Sequence, residues 1–211
     1  MKTIYDDADR YLKQLKDDVR RTFNSMSVKN FDELQYPQIR EVVKAVYEHL
    51  LNSALKMYLK AARSAVKIAK EKCPHGADWM PDEEWVKKSL KRYNPITKYL
   101  WFAEADRKRL RETEALVTMV AFQDHEGLRQ SIRSGANAWW KQAGQGMIDV
   151  VDDAVVTEYK KSGIKEVVWV SEHDERVCEE CEGMDGTIYP IDAIPEKPHY
   201  NCRCTVEPVT D

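Results

Sequence analysis

The chain has 211 residues and a mass of 24.6 kDa, enough for one ordinary domain or for one domain with a small additional module. Hydrophobic residues make up 43 %, charged residues make up 33 % and the mean hydropathy is -0.63, which excludes a membrane-embedded or mostly disordered chain. The net charge of -3 conceals two unlike parts. Residues 1–162 carry 29 basic and 24 acidic residues, whereas residues 163–211 carry four basic and twelve acidic ones. We therefore expect a helical body over 1–162 and a small module over 163–211.

Apolar residues recur at steps of three and four in the first part of the chain, which predicts amphipathic helices. The first of these helices covers about residues 5–26, and a turn-like stretch follows over 27–36. Pro37 then suits the first position of a long helix that continues to Lys72. At 1.5 Å per residue this helix is about 50 Å long, more typical of the spine of a bundle than of an ordinary globular helix.

Further helices are predicted after a breaker-rich segment. Pro81 opens a short helix over 82–93, and Asn94 with Pro95 is expected to cap and start another that reaches about Phe122. Apolar residues keep helical spacing from there to Tyr159. Four glycines weaken this last pattern, so two shorter helices are expected in place of one; they are Gly127, Gly135, Gly144 and Gly146.

The pattern changes after Gly163, which is expected to end the helical body. Residues 164–170 and 205–209 are rich in β-branched and aromatic side chains, and a turn signal precedes a third short strand at 187–189. The predicted fold class is therefore α+β. An elongated, mainly helical body is followed by a small antiparallel β-rich module with a cysteine and histidine knuckle.

Four of the five cysteines lie in the last 34 residues, which indicates a site and not a secreted disulfide framework. Cys178 and Cys181 form a Cys-x2-Cys pair, and His199 and Cys202 repeat this spacing, as in sites that hold a tetrahedral zinc ion (Zn²⁺). Cys204 is a substitute ligand or a packed thiol, because residues two apart in a strand share a face. Disulfides and buried reduced thiols remain open alternatives. A set of four protein ligands predicts a structural and not a catalytic metal.

The tail carries an ordered combination of motifs. In chain order it has a Tyr-Lys-x-Ser-Gly lead-in, Trp169, the sequence Asp-x-Arg-Val-Cys-x-x-Cys at 174–181, Asp-Gly, and Pro-His-Tyr-Asn-Cys-Arg-Cys at 198–204. This combination resembles the signature of the phage head-morphogenesis family, the Mu F-like minor head proteins. The resemblance is specific over about the last 50 residues and general over the helical part. Tyr200 stands where the family often has proline, a departure that leaves the candidate ligands in place.

The resemblance implies a non-enzymatic structural protein of a tailed phage or prophage that assists head assembly and DNA packaging or delivery. The implied partners are the portal protein and the capsid interior, with packaged DNA and further copies of the chain as additional candidates. The implied location is the virion, assembled in the cytoplasm of the bacterial host. No membrane contact or general export is expected, because the start of the chain lacks the apolar region of a signal peptide and no run of about 18 apolar residues occurs in the sequence.

A basic stripe on the long helix is a second candidate site. No acidic residue occurs between His49 and Lys70, and five basic residues follow one another at steps of 4, 3, 4 and 3: Lys56, Lys60, Arg63, Lys67 and Lys70. Such a stripe suits DNA phosphates, an acidic protein surface, or only solvent. Two further functions stay open: a zinc-knuckle protein that binds nucleic acid outside any virion, and a small nuclease or transferase effector built on the tail.

Two adjacent aromatic pairs are candidate partner contacts, because on a helix at least one ring of each pair faces outward. They are Trp101 with Phe102 and Trp139 with Trp140.

Overall fold

A computed structural model of the chain describes residues 3–25, 34–91, 93–94, 99–172 and 177–210, with backbone alone at 93–94, 99–104 and 106. The described part confirms the α+β class. Its elements in chain order are α1 (Ile4–Ser25), α2 (Tyr36–Glu71), α3 (Glu83–Leu90), β1 (Tyr93–Asn94), β2 (Tyr99–Leu100), α4 (Trp101–Ala121), α5 (His125–Lys161), β3 (Glu166–Val170), α6 (Glu179–Met184), β4 (Ile188–Pro190) and β5 (Thr205–Pro208).

The long helix α2 is the spine of the body, as the sequence predicts. It has 36 residues, with Pro37 in its first turn, and its apolar stripe is buried against α1 and α5. Small residues line the second half of this stripe, including Ala54, Ala62 and Ala65, so a neighbouring helix can approach closely. Tyr58 is fully buried, and its hydroxyl donates a hydrogen bond of 2.8 Å to the carbonyl oxygen of Ala143 on α5.

Helix α5 is continuous over 37 residues, so the expectation of two shorter helices is wrong. Its glycines mark close approaches. A Cβ at Gly135 would lie 2.9 Å from a carboxylate oxygen of Glu112 on α4, and one at Gly144 would lie 3.3 Å from the side-chain oxygen of Asn201. Burial along the helix offsets the weak local propensity of glycine, since tertiary packing supplies most helical stability in proteins.

The start of α4 also differs from the prediction. Asn94 pairs with Tyr99 in a two-residue antiparallel ladder between β1 and β2, so it does not cap a helix, and α4 begins at Trp101. Pro95 and most of the predicted turn over 27–36 lie outside the described residues. The preceding helix, α3, ends at Leu90, a little before the predicted end.

The module contains a three-stranded antiparallel sheet in the order β4-β3-β5, which confirms the predicted small β-rich unit. On the central strand, Val167 and Trp169 are almost fully buried. They belong to the same apolar core as Val151 and Val155 of α5, so the sheet packs on the end of the helical body. Within the described ranges, none of the helices has the length and apolar character needed to cross a membrane.

Candidate metal centre

The first two candidate ligands are held by the start of α6. Cys178 is the N-cap residue of this helix, with extended backbone angles, and its sulfur accepts a hydrogen bond of 3.4 Å from the backbone N–H of Cys181. An N-cap side chain turns back toward the first helical turn to meet its free N–H groups. Both sulfurs are therefore presented on one side of that turn.

The other candidate ligands lie on an arm, residues 199–204, that is fixed to α5. Asn201 adopts a left-handed backbone with φ of 59°, a conformation that asparagine tolerates better than most residues, and this turns the chain between His199 and Cys202. The backbone N–H of Asn201 donates 2.8 Å to the side chain of Gln145. The hydroxyl of Tyr200 donates 2.6 Å to the carbonyl oxygen of Lys141.

Cys181 lies at the centre of the cluster. Its sulfur is 3.6 Å from Nε2 of His199 and 3.5 Å from the sulfur of Cys202. The candidate ligand atoms of Cys178, Cys181 and His199 lie within 4.8 Å of one another, and so do those of Cys181, Cys202 and Cys204. All four cysteines are free thiols. The structure therefore brings the five residues singled out by the sequence into one cluster.

The ring of His199 is oriented for metal binding. Its Nδ1 lies 3.0 Å from the carbonyl oxygen of Tyr200. A carbonyl only accepts hydrogen bonds, so Nδ1 carries the proton and Nε2, which points toward Cys181, has a free electron pair. A hydrogen bond from the second ring nitrogen to a carbonyl is a usual support of histidine ligands.

The chemistry of the donors fits zinc. Burial raises the pKa of the Cys181 thiol far above its usual value, and burial also raises that of Cys202. Without a cation the thiols of Cys181 and Cys202 therefore keep their protons, whereas a bound divalent cation favours the thiolates. Several sulfurs with one imidazole nitrogen are the donor set that tetrahedral Zn²⁺ takes in proteins.

A polar cluster, Tyr5–Asp152–Lys197, lies directly behind the arm, with Tyr5 buried and the other two partly buried, and sequence reasoning did not find it. The ammonium of Lys197 is 2.6 Å from the carboxylate of Asp152, 2.7 Å from the hydroxyl of Tyr5 and 2.9 Å from the carbonyl oxygen of Cys202. The Tyr5 hydroxyl also donates to Asp152 and lies 3.5 Å from the carbonyl oxygen of Cys204. Burial raises the pKa of Tyr5 well above its usual value, so the phenol keeps its proton.

Arg203 gives the arm a second connection to α1. Its guanidinium is 2.9 Å from the carboxylate of Asp9 and 3.3 Å from that of Glu172. It also lies 5.9 Å from the centre of the Tyr5 ring. The two residues that flank Arg203 in sequence are candidate ligands, so α1 contacts the arm where the sulfurs are placed.

The basic stripe on α2 is divided by the structure. Lys56, Lys60 and Lys67 are exposed to solvent. Arg63 donates 2.9 Å to the carbonyl oxygen of Pro81, and Lys70 donates 2.8 Å to that of Trp79. These last two side chains therefore hold the segment between α2 and α3 against the long helix.

A second basic surface lines a groove of about 630 Å³ between α1 and α5, next to the arm. The sequence signal for this surface is the spacing of its basic residues on α1 at steps of three and four. Asp17 and Asp18 lie among these residues and make the basic pattern less clear. We call it the α1–α5 groove, and its basic residues are Lys13, Lys16, Arg20, Lys141 and Arg203, against the acidic Asp9 and Asp17.

In the aromatic pair on α5, one ring is buried and the other reaches the surface, as the sequence predicts. Trp139 is buried, with its ring 6.2 Å from that of Tyr47, whereas Trp140 is half-buried and lines the α1–α5 groove. The ammonium of Lys16 lies 5.0 Å from the centre of the Trp140 ring. The side chains of Trp101 and Phe102 lie outside the described part of the chain.

Residues 125–207 match the family model described as Phage Mu protein F like protein. This confirms the resemblance seen in the tail and extends it, because the match starts at the first residue of α5 and ends within β5. All five candidate ligands and most of the contacts that hold their arm lie inside the matched segment, whereas α1 to α4 lie outside it. No curated protein and no solved structure gives a significant match to the chain.

Proposed function

We propose that the protein is a structural minor head protein of a tailed phage or prophage. In this role it associates with the portal vertex and the capsid interior and assists head assembly and DNA packaging or delivery. The match of residues 125–207 to the Mu F-like family carries the proposal. The role is non-enzymatic, and the protein is assembled into the virion in the host cytoplasm.

Co-expression with the portal and capsid genes of the same genome tests this role. A tagged chain is expected to sediment with particles that contain the portal, and to co-purify with the isolated portal ring. Particles with the normal shape and DNA content in its absence, together with no tag in purified particles, would contradict the proposal. Capsid protein expressed without the portal gives the control for nonspecific trapping.

We further propose that the cysteine and histidine cluster holds one structural zinc ion through Cys178, Cys181, His199 and Cys202, with Cys204 as a packed thiol or substitute ligand. The short distances around the Cys181 sulfur support this assignment. The ion would join the start of α6 to the 199–204 arm. Such a cross-link suits a module that buries little apolar surface of its own.

Elemental analysis and thiol titration of the purified chain decide between zinc and disulfides. One zinc per chain with all five thiols recovered after denaturation in chelator supports the metal. Near-zero zinc with two or four thiols missing would indicate disulfides instead. Cys202→Ser and Cys204→Ser compare the two candidate positions. Only the substitution that removes a metal ligand is expected to lower the zinc content.

We propose that an anionic partner, packaged DNA in the first instance, binds the exposed basic residues of the body. Lys56, Lys60 and Lys67 on α2 are available for this, whereas Arg63 and Lys70 contribute charge while holding the neighbouring segment. The α1–α5 groove adds basic residues beside a half-buried tryptophan, a combination used for single-stranded nucleic acids.

The groove also favours the second candidate function, a zinc-knuckle protein that binds nucleic acid outside a virion. Binding to DNA that depends on salt, combined with no affinity for the portal ring and no presence in particles, would select this alternative. Metal-dependent turnover of nucleic acid would instead select an effector enzyme.

A further inference from the structure

We propose that Tyr5, Asp152 and Lys197 are positioning residues of the metal centre, so that α1 is part of the site although it supplies no ligand. This inference rests on the proposed zinc ion. It follows from the way the three side chains hold the backbone of the 199–204 arm.

Lys197 is fully engaged. An ammonium group has three protons to donate, and three acceptors lie within 2.9 Å of this one: the Asp152 carboxylate, the Tyr5 hydroxyl and the Cys202 carbonyl oxygen. The acceptors come from α5, from α1 and from the arm itself. The position of the Cys202 carbonyl is therefore fixed relative to two helices of the body.

The backbone contact reaches the candidate ligands directly. The carbonyl held by Lys197 belongs to Cys202, whose sulfur is 3.5 Å from that of Cys181. The Tyr5 hydroxyl lies 3.5 Å from the carbonyl of Cys204, the last thiol of the cluster. The hydrogen bond from Lys197 restricts the direction in which the Cα–Cβ bond of Cys202 points, and the Tyr5 hydroxyl, which gives its proton to Asp152, limits the space around the Cys204 carbonyl. This is how groups outside a coordination sphere orient its ligands.

The Tyr5 ring is held independently of its hydroxyl. The ammonium of Lys197 lies 5.2 Å from the ring centre and the guanidinium of Arg203 lies 5.9 Å from it, so both cations contact the ring. The ring is also part of the apolar core, and Tyr5 is only 2 % exposed. Tyr5→Phe therefore removes the polar contact with the arm while the packing of α1 is retained.

A purely structural role predicts a different outcome from a positioning role. If the cluster only stabilises the fold, its removal lowers the melting temperatures of the metal-free and zinc-loaded forms by similar amounts and leaves zinc affinity unchanged. If it orients the arm for the metal, the melting-temperature gain on adding zinc becomes smaller, because that gain reports the affinity of the folded state for the ion.

The test uses the full chain with Tyr5→Phe, Lys197→Met and Lys197→Arg. Zinc affinity is measured by competition with a chromophoric chelator, and the cobalt-substituted protein is examined by absorption spectroscopy for the geometry of the sulfur ligands. The melting temperature of each variant is recorded with and without zinc. Tyr11→Phe on α1 and Lys165→Met on an exposed position of the module serve as matched controls.

We expect Tyr5→Phe and Lys197→Met to lower zinc affinity about 10- to 100-fold and to alter the cobalt spectrum, with the controls unchanged. Lys197→Arg, which keeps a donor, is expected to recover part of the loss. A wild-type chain that binds zinc with affinity equal to that of Tyr5→Phe and Lys197→Met would overturn the inference and leave the zinc proposal intact. A wild-type chain that binds no zinc would overturn both.

Discussion

The helical body and the module of residues 163–211 bury apolar surface to very different extents. In the body, α2 and α5 bury stripes that run along their whole lengths. In the described part of the module, the buried apolar side chains are Ile164, Val167, Trp169, Cys181, Ile191, Cys202, Cys204 and Val206. Three of these eight are cysteines of the candidate metal centre. The body therefore has an extensive apolar core, whereas the module buries little apolar surface and packs against the helices; the proposed zinc ion would add a cross-link to it.

The largest effect is expected from Cys181→Ser, because its sulfur belongs to both groups of candidate ligands. Zinc content should fall from one per chain to near zero, and the melting temperature should fall by on the order of 10 °C, at about 2–4 °C per kcal/mol. Far-UV circular dichroism should show the helices retained, while a change of tryptophan fluorescence that disappears when Trp169 is also replaced by Phe reports a loosened module, since the chain has six tryptophans. Cys73→Ser, a thiol outside the cluster, is the control. Retention of full zinc content in Cys181→Ser would exclude the proposed ligand set.

Leu50→Ala tests the other side of the comparison. Leu50 on α2 is fully buried in the body, so its truncation is expected to cost about 2–5 kcal/mol of unfolding free energy. The loss should be the same with and without zinc, as measured by chemical denaturation. Leu110→Ala, at a position that is 47 % exposed, should stay within about 0.5 kcal/mol of the parent. A large change of zinc affinity in Leu50→Ala would show that destabilising the body also weakens the metal centre, so the two regions would not be independent.

Glu112 makes the stability of the body depend on pH. Burial raises the pKa of this carboxyl to about 7, whereas in the unfolded chain it has its ordinary value near 4.5. Between these values the folded state binds more protons at Glu112 than the unfolded state does, so the contribution of Glu112 to stability is greatest at low pH and falls as the pH rises toward 7. The total change is on the order of 3 kcal/mol, at about 1.4 kcal/mol per unit of pKa shift.

Glu112→Gln should flatten this pH dependence in urea unfolding measured from pH 5 to pH 8. Glu126→Gln, on the exposed first turn of α5, is the control and should leave the slope near that of the parent. An unchanged slope in Glu112→Gln would show that another group titrates in this range.

The smallest effects on stability are expected for the basic surfaces, whose role is in association. Replacing Lys56, Lys60 and Lys67 together with Gln should weaken DNA binding and reduce the slope of log affinity against log salt, by up to about 0.9 per lost phosphate contact. A matched triple variant of the groove, at Lys13, Lys16 and Arg20, tests the second surface by the same filter-binding titration. Replacing Glu179, Glu180 and Glu182 in the acidic module with Gln is the control, for which no loss of affinity is expected.

The parts of the fold that sequence predicts are those whose signal is local. The 36-residue α2 has an unbroken apolar pattern and was predicted almost to its ends. Gly135 and Gly144 suggested a break in α5 because glycine has a low helix propensity. The residues that pack against them, Glu112 and Asn201, lie outside the local sequence and could not be predicted from it. Asn94, followed by Pro95, has the sequence pattern of a helix cap, but in the structure it pairs with Tyr99 in the β1–β2 ladder. In both cases contacts that are absent from the local pattern decided the structure.

The same division holds for the candidate site. The five candidate ligands could be grouped from their spacing alone, since Cys178 and Cys181 lie on one short segment and the other three lie on a second. The polar cluster behind them has no such signal. Tyr5 shows only the helical spacing of a core residue, and its partner Asp152 is 147 positions away. A tyrosine, an aspartate and a lysine so far apart acquire a common role only when α1, α5 and the arm are packed together.

The contact between Tyr5 and Lys197 spans 192 positions in the sequence, which has a consequence for the order of folding. Helices α1, α2 and α5 can pair as soon as each has been synthesised, because their contacts do not require the tail. The arm closes against α1 only after residue 197 has joined the folded helices, and contacts between such distant residues form slowly. Metal binding would then be a late event in folding. An ion bound at full affinity would indicate a chain in which α1 and the arm have already come into contact.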